Sequence, residues 1–132
     1  MTINTCKLLL VGDDPGSVIE LEHDLETIGV TVIKASSLSE TLSLLDKDEF
    51  IMLLINLSQS EEEGLKIARS ARTLPKAENL PILYTTAHNK PASQQLAQMD
   101  LGLIDFIALP TTVETLRAKV QVCVELFRLR VA

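Results

Sequence analysis

The run Phe50–Ile55, FIMLLI, holds six consecutive apolar residues with no polar alternation. A strand with one face in water would alternate apolar and polar side chains. An unbroken run has to be covered on both faces, which points to a parallel sheet between two layers of helices. The run ends at Asn56, and the polar stretch LSQSEEEG follows. In sheets of this kind the carboxyl ends of the strands open on the functional crevice, so a polar residue at that exit is a candidate site residue.

The rest of the chain fits such a layered sheet. Cys6–Val11 is an apolar run that stops at the turn-forming GDDPG. Val18, Leu21, Leu25 and Ile28 recur at helical spacing, and Gly29 is placed to end that helix. Val30–Ile33 reads as a second strand. Leu38, Leu42 and Leu45 mark a second helix, with Ser37 or Ser39 as its cap. Leu65, Ala68 and Ala71 or Arg72 suggest a third helix behind the acidic EEEG segment. Leu80–Thr85 and Leu103–Ile107 are the fourth and fifth strands. Pro91–Met99 reads as the helix between them, and Thr112–Val131 as a long final helix.

Five strand–helix units in this order predict an α/β fold, a flavodoxin-like doubly wound parallel sheet of order 2-1-3-4-5. Residues at the carboxyl ends of its strands are Asp13, Asp14, Asn56, Thr86 and Leu109.

Composition excludes several functions. The net charge of -6 gives no basic footprint for nucleic acid, and the lack of Trp, with one Tyr, leaves no stacking platform. Cys6 and Cys123 stand far apart within apolar runs and read as two small buried residues, not as a zinc site. No stretch has the length of a membrane span, and the N-terminus does not have the pattern of a signal peptide. A cytoplasmic location is the expectation. VGDDPGS lacks the features of a nucleotide-binding loop.

The segments LLLVGDDP, FIMLLINLSQSEEEGLKIAR, LPILYTTAHN and GLIDFIALP resemble the receiver domain of two-component response regulators. The resemblance extends over essentially the whole chain. It implies an acid pair, Asp13 and Asp14, that would help to hold Mg²⁺. It makes Thr86 the switch hydroxyl and Phe106 the switch aromatic, although Phe106 reads first as a core residue. Gly64 lies at the spacing the family keeps between its phosphoacceptor and a loop glycine, which assigns the phosphoacceptor position to Asn56. Two positions depart from the family: Asn56 stands where it has Asp, and Leu109, before Pro110, where it has Lys. Ser60 also replaces a usual loop Pro.

A carboxylate can attack phosphorus and form an acyl phosphate, whereas a neutral amide cannot form that mixed anhydride. Without the Lys, no cation balances the phosphoryl oxygens. The resemblance therefore implies a degenerate receiver, a pseudo-receiver that is not an enzyme. No cofactor is expected, and at most Asp13 and Asp14 would hold Mg²⁺ weakly. Without a phosphate to draw it, Thr86 is not expected to switch. His23 reads as a solvated surface residue, and His88 and the loop serines Ser58 and Ser60 are given no role. The alternatives are a receiver still phosphorylated at another residue through a histidine-kinase phosphorelay, or at Asn56 after a slow deamidation, or a pocket that takes a small ligand in place of phosphate.

The final helix has one apolar stripe for the sheet, Val113, Leu116, Val120, Cys123 and Phe127, and a second at Val122, Leu126 and Leu129. The second stripe suggests either a wide contact face within the domain itself or a protein partner, a histidine kinase, an output domain or a second copy. The expected interface is this helix with the Pro91–Met99 helix and the fifth strand. Residues 1–132 are read as a single receiver-like domain, the N-terminal part of a larger signalling protein. Neither nucleic acid nor membrane is an expected partner of this domain.

Overall fold

The computed structural model describes the backbone of residues 6–12, 15–56, 61–87, 104–109 and 111–131. The Pro91–Met99 helix lies outside the described residues, as do Asp13, Asp14, Ser58, Ser60, His88 and Pro110.

Five strands form one parallel sheet: β1 (Lys7–Gly12), β2 (Thr31–Ala35), β3 (Met52–Asn56), β4 (Ile82–Ala87) and β5 (Ile104–Leu109). Their order is β2-β1-β3-β4-β5, the doubly wound order expected. Register runs Gly12↔Asn56 between β1 and β3, Ile55↔Tyr84 between β3 and β4, and Ala87↔Leu109 between β4 and β5. Around the sheet lie α1 (Pro15–Ile28), α2 (Leu38–Lys47), α3 (Glu61–Ala71) and α4 (Val113–Val131), with a short 3₁₀ turn at Pro75–Ala77.

The sheet separates two cores because strand side chains alternate between faces. On one face Leu8, Leu10, Met52, Leu54, Leu83 and Ile107 pack with Leu21 and Leu25 of α1 and Leu116, Val120 and Val124 of α4. On the other, Leu9, Val11, Leu53, Ile55, Ile82 and Tyr84 pack with Leu45 of α2 and Leu65 and Ala68 of α3. β3 is buried along its whole length, as its unbroken apolar run requires. Cys6 and Cys123 are both buried, in the first of these cores, without a disulfide.

Local signals set several element ends. Gly29 has φ 106°, which glycine tolerates best, and closes α1. Its N–H donates to Glu26 O at 3.0 Å, and Val30 N–H reaches back to Leu25 O at 3.4 Å. These two bonds use carbonyls that a helix end leaves unpaired. Of the two candidate caps of α2, Ser37 is the one used: its Oγ accepts from Glu40 N–H at 3.1 Å. Glu40 Oε1 in turn accepts from Ser36 N–H at 2.7 Å, so both partners satisfy exposed donors. Thr112 caps α4 by accepting from Thr115 N–H at 3.1 Å.

Some boundaries shift. β4 and β5 run further than expected, so Thr86 and Leu109 lie within strands and not after them. β3 likewise includes Asn56 as its last residue. The acidic segment and Gly64 fall inside α3, which begins at Glu61, and not in a loop before it. The α4 stripe is as expected at Leu116, Val120 and Cys123, with Val113 and Phe127 half-buried against the same core and Val124 added to it. In the second stripe Val122 is 60% and Leu129 76% exposed, while Leu126 is half-buried.

Candidate functional site

The carboxyl end of the sheet brings together Gly12, Asn56 and the ends of β4 and β5. Gly12 pairs with Asn56 across β1 and β3, and a Cβ on Gly12 would collide with the Val18 side chain of α1. Glycine here lets the first turn of α1 approach the strand end closely. That approach brings Ser17 within reach of Asn56.

Asn56 is 2% exposed, one of two buried polar residues among the described residues, and both ends of its amide are bonded. Its Nδ2 donates to Ser17 Oγ at 3.0 Å. Its Oδ1 accepts from Thr85 Oγ1 at 2.6 Å. Burial of an amide is tolerated only with such partners, because an unbonded one keeps the full desolvation penalty. Asn56 shares its sheet face with Met52 and Leu54, and Thr85 shares that face with Leu83. This alternation turns both side chains toward the layer that holds α1.

Neither Ser17 nor Thr85 is evident in the sequence as a site residue. Thr85 is hidden beside Thr86, and only the Ile55↔Tyr84 register reveals which threonine stands against Asn56. Ser17 is one of many serines until the close approach at Gly12 is known. The backbone of Thr86 pairs with Ala108, that of Phe106 with Tyr84, and Leu109 is the last residue of β5. Their side chains lie outside the described residues.

Tyr84 points to the opposite face and holds α3. Its Oη donates to Gly64 O at 3.1 Å. A Cβ on Gly64 would stand 3.1 Å from the Tyr84 ring and 3.4 Å from Ile55 Cγ2, so glycine here admits the ring beneath the helix. The spacing from Asn56 to Gly64 thus reflects a packing requirement of α3 on β3 and β4. Arg72, at the other end of α3, donates through Nη1 to Ala77 O at 2.8 Å and Leu80 O at 2.6 Å and ties down the chain leading into β4. Burial lowers the Arg72 pKa, partly offset by Tyr84.

Burial raises the Tyr84 phenol from 10.0 to about 12, against the opposing pull of Arg72 and Arg69. The fold therefore favours the neutral phenol. The stability this provides is complete below pH 10 and is lost as pH rises through about 12. Urea midpoints measured across that alkaline window should fall steeply for the natural chain and less for Tyr84→Phe. Equal slopes for the two proteins would show that Tyr84 does not carry the effect.

Asp13 and Asp14, the pair expected to hold Mg²⁺, lie outside the described residues, and Asn56 at the end of β3 does not fit a cation well. Its oxygen is already engaged by a hydroxyl proton, and its other end presents N–H groups toward α1. Mg²⁺ is held through oxygen, typically carboxylate and water, and an amide donor adds nothing to its shell.

Known proteins resemble the chain in sequence and in fold. The family model for the response regulator receiver domain matches residues 8–121. An uncharacterised 14.6-kDa protein from the sodA1 3′ region of Leptolyngbya boryana is 31% identical over 123 residues, covering 92% of this chain and 93% of that protein. The response regulator MprA of Mycobacterium ulcerans is 29% identical over 115 residues, 87% of this chain. The chain spans about half the length of that regulator, 48%.

Among solved structures, the receiver domain of a Pseudomonas aeruginosa PAO1 sensor histidine kinase superposes with a TM-score of 0.75 at 20% identity, covering 88% of this chain and 94% of that one. That domain was crystallised with a magnesium ion coordinated in its active-site cleft. The Vibrio cholerae chemotaxis protein CheY4 also gives 0.75, at 21% identity, covering 88% of this chain and 96% of that one. At these identities the structures speak for the fold, while the family match carries the assignment. The chain belongs to the response regulator receiver domain family, the signal-receiving module of two-component systems.

Proposed function

We propose that this receiver works as a signalling interaction module that does not take a phosphoryl group at Asn56. The observation that carries this reading is the buried amide at the phosphoacceptor position, bonded at both ends to Ser17 and Thr85. Leu109, the last residue of β5, supports it, because an apolar residue in the Lys position supplies no charge to a phosphoryl group. On this reading the domain is not an enzyme, Thr86 and Phe106 are not driven to switch, and Asp13 and Asp14 bind Mg²⁺ weakly at best. Incubation with a small phosphodonor and Mg²⁺, followed by intact mass, is the test, and an acid-labile gain of one phosphoryl group by the natural chain would refute it.

The signal then passes by contact with a protein: a histidine kinase, an output domain or a second copy. The outer stripe of α4 supports a contact there, since Val122 and Leu129 are both more than half exposed. If a second copy covers this face, sedimentation should show a dimer that Val122→Lys with Leu129→Lys converts to monomer. A natural chain that stays monomeric at high concentration would leave the stripe to a different protein.

A further inference from the structure

The hydrogen bonds at the end of β4 do more than satisfy one buried amide. Tyr84 and Thr85 are adjacent and project to opposite faces of the sheet. Tyr84 grips the Gly64 carbonyl of α3 on one face. Thr85 grips Asn56 of β3 on the other, and Asn56 in turn grips Ser17 of α1. Segments separated by 39, 29 and 20 positions in sequence are joined in this way. None of the three bonds involves an anion or a metal.

We propose that Thr85, Asn56 and Ser17, with Tyr84 and the Gly64 carbonyl, form a latch that fixes the carboxyl end of β4 against β3, α1 and α3. The proposal rests on the reading of Asn56 as an unphosphorylated position, because the same amide is the hub of the latch. A strand end held on both faces cannot shift toward one helix layer without breaking a bond to the other. Asn56 is 2% exposed, so water is poorly placed to replace its lost partner. The hydroxyl proton of Thr85 is committed to Oδ1 of Asn56, and Thr85 thereby acts as a positioning residue for the amide. The domain then presents partners with one standing conformation of its strand ends.

The test is amide hydrogen exchange by NMR on the intact 132-residue chain, comparing the natural protein with Thr85→Val, Thr85→Ser and Tyr84→Phe. Thr85→Val keeps the shape and removes the hydroxyl, whereas Thr85→Ser keeps the hydroxyl. With the latch, Thr85→Val speeds exchange at the amides of Asn56, Thr86 and Ala87 about tenfold more than at Leu9 and Leu53 in the sheet centre. Tyr84→Phe does the same at Thr86 and Ala87, and Thr85→Ser stays within about twofold of the natural chain. Uniform acceleration across the sheet, no acceleration, or a Thr85→Ser variant that behaves like Thr85→Val would overturn the latch. The phosphodonor assay separates this proposal from the one beneath it. A natural chain that gains phosphate yet shows the selective pattern keeps the latch and loses the functional reading. A chain that gains no phosphate and shows no selectivity does the reverse.

Discussion

Treated with acetyl phosphate and Mg²⁺, the natural chain should keep its starting mass, while the double variant Asn56→Asp, Leu109→Lys should gain one phosphoryl group. The reaction needs an oxygen nucleophile that breaks the donor's P–O bond and keeps the phosphoryl group as an acyl phosphate. The Asn56 nitrogen shares its lone pair with the carbonyl and already donates to Ser17. Its oxygen accepts from Thr85 and carries no formal charge. Neither atom is a nucleophile of the required strength.

Asp at the same position would accept from both hydroxyls and add a charge, which also strengthens a cation site with Asp13 and Asp14. Lys at the end of β5 would add the cation that balances the transferred group. The single variant Asn56→Asp should be labelled more slowly than the double variant. Labelling of the natural chain at any residue would instead support the alternative of another phosphoacceptor. A double variant that folds but gains no mass would show that more than these two side chains has been lost.

Leu54→Ala should cause a large loss of stability. Leu54 is fully buried at the centre of β3, on the face packed by α1 and α4. Removing its outer carbons forfeits burial and leaves a void that a sheet strand flanked on both sides cannot close. The loss should be about 2–5 kcal/mol. For a chain of this length that lowers Tm by roughly 10 °C or more. Leu129→Ala is the matched control, because Leu129 is 76% exposed and its truncation should change stability by less than about 0.5 kcal/mol. Similar midpoints for the two variants would contradict the layered core described above.

The difference between these two leucines was partly legible in the sequence. The unbroken apolar run around Leu54 required two covered faces, and β3 is buried throughout. Leu129 lies off the face defined by Leu116, Val120 and Cys123, which places it in an outer stripe, and those three are buried in the core. Periodicity works in both places because each stripe is a local property of one segment. Val124 lies off the narrow stripe yet is buried, because a sheet can accept a wider helix face.

Element ends were harder to read. Gly64 is expected in a loop, yet α3 starts at Glu61 and contains it. The loop expectation comes from the family resemblance; glycine is a poor helix former, and here it stands inside α3 where a Cβ would crowd the Tyr84 ring. The apolar runs put Leu109 and Thr86 beyond their strands, but the pairing of β4 with β5 continues to Ala87 and Leu109.

By itself, the sequence determined the alternation of strands and helices, the buried third strand and the inner face of the final helix. These are matters of residue type and local spacing. Only the tertiary structure decided what Asn56 is bonded to. Thr85 meets it because β3 and β4 pair in one register, and Ser17 meets it because Gly12 lets α1 approach. A slip of one residue would turn Thr85 to the other face. Register is fixed by packing between segments far apart in the chain, so no local pattern in the sequence carries it.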